Sequence, residues 1–353
     1  MATALLASCS SDDDTGAEHT PAPSASRTLT PETERSPQKA APQAEAGGET
    51  DHGNGTAEPQ PDEQTTEPEE SSEAPTERST TDPSRTRTAP NLPEDGEGVL
   101  DGRRMVALYG VPGTSSLGAL GEQPLGQAIE RVKGLAKRYE PLTDDDVVPT
   151  FELIASVAST SAGADGDFSS EISPSTLRPW IERAAKEGVY VVLDLQPGRT
   201  DFLTQAKRFE ALLRYPNVGL ALDPEWRLGP RERHLEQIGS VHGKEVDATI
   251  GWLAELTRRE ELPEKLVVLH QFRTSMIADR RSVRTDRDAV TVLIHADGQG
   301  TQPAKRGTWK ALHEGAPKGV RWGWKNFIDE DHPMLTPQQT YRITPRPDFV
   351  SYQ

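Results

Sequence analysis

Short apolar runs alternate with amphipathic segments from about residue 100 to residue 353. Runs of four to eight residues rich in Val, Leu and Ile are typical of strands buried on both faces of a sheet. Segments with apolar residues three and four positions apart are typical of helices that pack on a sheet. The pattern predicts eight strands, over 105–111, 147–154, 189–195, 218–222, 266–272, 289–295, 320–327 and 349–352.

Helices are predicted between most of these strands. Ser173 is a suitable N-cap and Pro174 a suitable first residue for one of them. Strands that alternate with helices form parallel sheets with right-handed crossovers, and eight repeats in roughly 250 residues favour a (β/α)₈ TIM-type barrel whose last helix is missing. A doubly wound open sheet is the alternative, but no GxGxxG follows any strand. The predicted helices cover 124–139, 174–187, 201–215, 244–261, 309–314 and 337–343.

Composition separates residues 10–98 from the barrel region, 99–353. The net charge of the chain is −17, and residues 1–97 carry most of it, with 21 Asp and Glu against 6 Lys and Arg. This segment is rich in Pro, Glu, Ser and Thr and poor in aromatic residues, which predicts a disordered acidic stalk. The barrel region is nearly neutral and has no basic patch, so nucleic acid is not an expected partner. No cofactor is predicted.

The single cysteine, Cys9, ends the sequence Leu6-Ala7-Ser8-Cys9. This resembles a bacterial lipobox, in which a signal peptide is cleaved before a cysteine that is then lipidated. The interpretation makes residues 1–9 a truncated signal peptide, because residues 1–7 contain no Lys or Arg. It predicts a lipoprotein displayed on the outer face of the cell membrane, held only by its N-terminal lipid. The alternative is a chance match in a disordered N-terminus.

Polar and aromatic residues collect where the predicted strands end. In a barrel the carboxyl ends of the strands carry the chemistry, whereas folding alone needs only Val, Ile and Leu in the barrel core. Acids hydrogen-bond sugar hydroxyls and tryptophans cover the apolar faces of sugar rings, so these residues predict a glycan ligand. The candidates are Tyr109, Glu152, Asp194, Gln196, Asp223, Glu225, Trp226, His270, Gln271, His295, Asp297, Trp322, Trp324, Lys325 and Asn326.

Each candidate also has a structural interpretation. Asp223 suits a cap for the following loop, and Glu225 suits a salt bridge to a nearby arginine. His270 and His295 lack metal-ligand spacing, so hydrogen-bonded core or substrate-contacting histidines are favoured over ligands. The tryptophans also suit core packing, although Trp324 is the better cleft candidate because polar residues follow it.

The fourth predicted strand leads into two carboxylates, in the sequence VGLALDPEW. If Asp223 and Glu225 are extended, they face the same way. Residues 219–225 resemble the fourth-strand motif of chitinase-like glycoside hydrolases. That resemblance implies Glu225 as the proton donor and Asp223 as its neighbour, while Ala221 replaces the first acid of the motif. Residues 105–353 also resemble a family of exported actinobacterial lipoproteins with a predicted TIM barrel, which implies surface location and fold but no activity.

Three functions follow in order of preference. The first is a cell-surface glycoside hydrolase with Glu225 as proton donor, Asp223 beside it and Asp194 as second carboxylate. The second is a non-catalytic glycan-binding or degenerate barrel, favoured by Ala221 and by the absence of an acid at the end of the seventh strand. The third is a metal-dependent hydrolase that uses Asp194, Asp223, His270 and His295.

Overall fold

The computed structural model of the chain describes residues 98–353. The predicted lipobox at Cys9 and the predicted stalk up to residue 97 lie outside these residues. None of the helices in the described part is long and apolar enough to cross a bilayer.

Eight parallel strands form a closed barrel. The strands of the described part are β1 (Arg103–Gly110), β2 (Asp146–Ala158), β3 (Ser169–Glu171), β4 (Tyr190–Leu195), β5 (Val218–Leu222), β6 (Val241–His242), β7 (Lys265–Gln271), β8 (Ile277–Ala278), β9 (Val290–Ala296), β10 (Arg321–Asn326) and β11 (Phe349–Tyr352). The order around the barrel is β1, β2, β4, β5, β7, β9, β10 and β11, and the last strand pairs with the first. This closure confirms the (β/α)₈ prediction and excludes the open-sheet alternative.

Helices lie between most barrel strands and bury an apolar face against them. In α1 that face consists of Ala128, Ile129, Val132 and Ala136, spaced as a helix on a sheet requires. No helix follows β11 within residues 98–353, as predicted. The helices are α1 (Leu125–Lys137), α2 (Pro174–Lys186), α3 (Phe202–Arg208), α4 (Glu210–Leu213), α5 (Gly243–Arg259), α6 (Gln302–His313) and α7 (Pro337–Thr340).

Two helix predictions were wrong in their bounds. The helix predicted over 201–215 is divided into α3 and α4 at Phe209. Helix α6 begins at Gln302 rather than at residue 309. The hydrophobic pattern does not predict the first half of α6, because a lysine, Lys305, takes a core-facing position there. Lys305 is buried and pairs with Asp331 at 2.9 Å.

Short strands outside the barrel were not predicted. Strand β3 pairs antiparallel with the end of β2, and β6 pairs parallel with β8. Each has two or three residues, too few to show a hydrophobic period.

The interior of the barrel is layered along the strands. Alternate residues of a strand point inward, and the inward residues nearer the amino ends form one buried apolar cluster. We call this cluster the apolar layer. Ala221, which replaces the first acid of the chitinase-like motif, belongs to it. The strand residues in it are Met105, Ala107, Val148, Tyr190, Val192, Ala221, Leu266, Val268, Leu293 and Phe349.

Candidate active site at the carboxyl ends of the strands

The inward positions that follow the apolar layer are polar or charged on every barrel strand. We call these residues the polar layer. With the exception of Asp297, which is half-buried, each of them is at most 3% exposed. Burial of so many ionisable groups is costly unless they pair. The polar layer consists of Tyr109, Glu152, Asp194, Asp223, His270, His295, Asp297, Lys325 and Ser351.

His270 is the centre of the ion pairs in this layer. Its Nε2 lies 2.8 Å from Oε1 of Glu152, and its Nδ1 lies 2.7 Å from Oδ2 of Asp297. Burial alone would lower the pKa of His270, but these two carboxylates raise it well above its usual value. The histidine is therefore a cation between two anions.

Lys325, on β10, completes the charge balance of the layer. Its Nζ lies 3.1 Å from Oδ1 of Asp297 and 3.6 Å from the centre of the Tyr109 ring. Burial opposes a charged lysine, yet Asp297 and Glu152 raise the pKa of Lys325. In turn, burial raises the pKa of Asp297, but Lys325 and His270 outweigh it and lower that pKa far below its usual value.

Glu152 has the same balance of effects as Asp297. Burial raises its pKa, while the charge and hydrogen bond of His270 lower it, and the net shift is downward. Glu152, Asp297, His270 and Lys325 thus form two anions and two cations. This compensation explains how the barrel interior holds them.

Asp194 and Asp223 lie outside that balanced set. Burial is the largest cause that raises the pKa of Asp194 to about 6, and burial with the charges of Asp194 and Glu225 raises the pKa of Asp223 well above its usual value. Tyr109 donates a hydrogen bond to Oδ2 of Asp194 at 2.9 Å. Oδ1 of Asp194 has no hydrogen-bond partner within residues 98–353, and it lies 3.9 Å from Nε2 of His270.

The two carboxylates of the fourth barrel strand do not have the predicted geometry. Pro224–Trp226 form a 3₁₀ turn, and Oδ1 of Asp223 accepts a hydrogen bond from the Glu225 backbone N–H at 3.1 Å. Glu225 is therefore not extended, so the condition under which the two carboxylates would face the same way is not met. Asp223 caps the turn, as an Asp-Pro pair commonly does. Glu225 is half-buried on that turn, and Arg227 pairs with Glu245 at 2.9 Å.

Other sequence candidates divide between the polar layer and the outside of the barrel. Gln196 joins the layer through a hydrogen bond from its Nε2 to the Tyr109 hydroxyl at 3.3 Å. Gln271, at the end of β7, donates from Nε2 to the Arg273 carbonyl. Trp226 is half-buried and lies edge-on to His234, with ring centres 5.4 Å apart.

The seventh barrel strand turns its tryptophans toward the helices. The Trp324 ring lies 5.7 Å from that of Trp309 in α6, and Trp322 stacks on His313 with 3.5 Å between ring centres. Asn326 accepts a hydrogen bond from Trp324 Nε1 at 3.0 Å. Because Lys325 points inward, period two sends its neighbours Trp324 and Asn326 outward. These two residues therefore pack between strand and helix and do not contribute to the polar layer.

Ser351 is a member of the polar layer that sequence reasoning missed. Its hydroxyl lies 3.2 Å from Nε2 of His295. Burial is the main cause that lowers the pKa of His295 to about 3, so this imidazole is neutral. The signal that finds Ser351 is its position two residues after the inward Phe349.

Gly323 provides the space for the His295 ring. A Cβ at this position would lie 2.6 Å from Cδ2 of His295 and 2.9 Å from a methyl carbon of Leu293. Such distances force a neighbour to move. Because residue 323 has no side chain, the His295 imidazole fits in the polar layer. Its ring centre lies 5.0 Å from that of His270.

Fold and site together define a (β/α)₈ barrel with an ionisable cluster in the interior, at the carboxyl ends of its strands. A scan against protein-family models and a search of curated proteins gave no match. Among solved structures, the chain is similar to dihydropteroate synthase from Xanthomonas albilineans, determined with 4-aminobenzoic acid. The two share 12% identity over 72% of this chain and 88% of that one, at a TM-score of 0.31.

A second structure of that enzyme, in complex with indole-2-carboxylic acid and 6-chloroguanine, gives 12% identity, the same coverage and a TM-score of 0.33. The barrel of this chain is established by the pairing of its own strands.

Proposed function

We propose that the barrel hydrolyses a glycosidic bond at the carboxyl ends of its strands, with Glu225 as the proton donor. The observation that carries this proposal is the arrangement at the end of β5. There the buried Asp223 accepts a hydrogen bond from the Glu225 backbone and so holds a turn on which Glu225 is half-buried. Glycosidases use a partly desolvated carboxylic acid of this kind to protonate the leaving oxygen.

Asp194 is the second carboxylate of the proposed reaction. Both oxygens of Asp297 are engaged, by His270 and by Lys325. Oδ1 of Asp194 accepts no hydrogen bond from any residue in the described range 98–353. A water bound to that oxygen is the nucleophile in our proposal, with Asp194 as its base.

Trp226 supports a carbohydrate as the substrate. It directly follows Glu225 and is half-buried, and an aromatic face beside a catalytic acid packs on the apolar face of a sugar. We further propose that the protein is a lipid-anchored surface protein that acts on an envelope or environmental glycan. Radiolabelled palmitate incorporation into the wild type but not into Cys9→Ala tests the anchor.

The catalytic test uses purified protein and a panel of polysaccharides and chromogenic glycosides. We expect Glu225→Gln to lower kcat by about 10²–10⁴-fold on any substrate that the wild type cleaves, the range for loss of a general acid. Glu236→Gln is the matched control, because Glu236 is an exposed glutamate of the same connection, and it should retain wild-type activity.

Full activity of Glu225→Gln would remove Glu225 as the donor. Binding of a saccharide in calorimetry without product release would replace the hydrolase with the second candidate, a glycan-binding barrel. That candidate is favoured by Ala221, which lies in the apolar layer where the chitinase-like motif has an acid.

A further inference from the structure

Three side chains of the polar layer offer ligand atoms to one point. Glu152, His270 and His295 each present one oxygen or nitrogen within 4.8 Å of those of the other two. Ligand atoms about 2.0–2.2 Å from a shared zinc ion are roughly 3–4 Å apart. The three groups therefore need only a small contraction to surround one ion, and all three are fully buried.

Two of these side chains have buried atoms without a partner. Oε2 of Glu152 and Nδ1 of His295 make no hydrogen bond with any residue of the described part of the chain. An unpartnered buried polar atom is costly. Two such atoms in one cluster indicate that a further group belongs there.

The surrounding residues orient the two imidazoles as metal ligands are oriented. Asp297 accepts from Nδ1 of His270 at 2.7 Å, and Nε2, whose proton the incoming ion displaces, is directed toward Glu152. Ser351 lies 3.2 Å from Nε2 of His295, which leaves Nδ1 for a ligand. A carboxylate or hydroxyl on the far nitrogen is the usual support of a ligating histidine. Lys325, which lies in the same layer, is itself paired with Asp297.

We propose that Glu152, His270 and His295 bind one divalent transition-metal ion inside the barrel. Two imidazoles and one carboxylate form the ligand set of open zinc sites, and also that of iron sites with two histidines and a carboxylate. This inference does not rest on the proposed glycosidase activity, because Glu225 takes no part in it.

The test is metal binding to the purified full chain after treatment with a chelator. Calorimetric titration with Zn²⁺ should give one site per chain, and Co²⁺ should give visible absorption bands of protein-bound cobalt. Glu152→Gln and His295→Gln should each lower the affinity for Zn²⁺ more than 100-fold, because each removes a ligand. Asp297→Asn should lower it about 10–100-fold, as loss of an orienting partner does.

His242→Asn is the matched control. His242 is exposed, and its side chain caps α5 by accepting from the Lys244 backbone, a role that Asn also fills. Zinc affinity should not change in this variant. Circular dichroism of each variant establishes that it is folded, and two independent ligand variants guard against failure of one to fold.

Two results would overturn the proposal. One is the absence of a one-to-one site at micromolar zinc in the wild type. The other is wild-type affinity in folded Glu152→Gln and His295→Gln. Loss of glycosidase activity in Glu225→Gln, with zinc affinity intact, would separate the two proposals.

Discussion

Two buried lysines at opposite ends of the barrel strands differ in their surroundings. Lys265 begins β7, and its Nζ donates to the carbonyls of Tyr215 and Val218 at 2.8 Å. Burial lowers the pKa of Lys265 to about 7. Lys325, near the end of β10, is equally buried but lies among carboxylates that raise its pKa. Burial is therefore compensated by charge at the carboxyl end of the barrel and by backbone carbonyls at the amino end.

The amino and carboxyl ends of the barrel strands therefore differ in what their buried residues do. In the apolar layer, packing of apolar side chains satisfies the requirements of folding. At the carboxyl end the chain maintains four acids, two histidines and a lysine, although apolar residues of similar volume would be no less stable. Such an arrangement is what an active or binding site requires, because perturbed ionisable groups concentrate at functional sites.

Lys325→Met is the change with the largest expected effect. In this variant His270 alone balances the negative charges of Asp297 and Glu152. Loss of one partner of a buried pair costs about 3–5 kcal/mol. Chemical denaturation at neutral pH measures this loss. The double variant Lys325→Met/Asp297→Asn should recover part of it. Equal losses in both variants would contradict the charge compensation.

Leu266→Ala tests the apolar layer in the same assay. The side chain is fully buried, and its truncation should lower the free energy of unfolding by about 2–5 kcal/mol. Because no charge is removed, the loss should be the same at pH 6 and pH 9. A loss that varies strongly with pH would show that the two layers are not energetically separate.

Lys265→Met has the smallest expected effect at neutral pH, and its main effect is on the pH dependence of stability. The pKa of about 7 in the folded chain lies below the unfolded value of about 10.4. Between these pH values the unfolded chain binds more protons, so Lys265 makes stability rise with pH by at most ~1.4 kcal/mol per unit. Below pH 7 both states are protonated and the rise ends.

Denaturation curves between pH 7 and pH 10 measure this contribution. The difference in stability between wild type and Lys265→Met should grow in favour of the wild type as the pH rises. Parallel curves would mean that Lys265 stays charged in its buried position.

The hydrophobic pattern predicted the barrel because apolar runs mark parallel strands wherever both faces are covered. The bounds 218–222 and 349–352 match β5 and β11. It failed at Lys305 in α6, where a buried ion pair takes a position that an apolar residue normally fills. It also gave no account of the short pairings β3–β2 and β6–β8.

The candidate site was predictable in its members but less so in its geometry. Tyr109, Glu152, Asp194, His270, His295, Asp297 and Lys325 were named from strand ends, and the barrel places their side chains in one layer. Trp324 and Asn326 were misjudged as cleft residues because the strand was not assigned an inward register. The proximity of Glu152, His270 and His295 depends on the order of strands that are far apart in the sequence. It therefore cannot be predicted from the spacing of residues along the chain.

Closure of the barrel sets a condition on how the chain is made. Arg104, at the start of β1, donates to the Pro347 carbonyl 243 residues later, and β11 fills the gap between β1 and β10. During synthesis one edge of β1 therefore stays unpaired until the last strand has emerged. An open apolar edge is a place for pairing with another chain. The four residues of β11 thus pair last, and their pairing closes the barrel and removes the edge at which nascent chains associate.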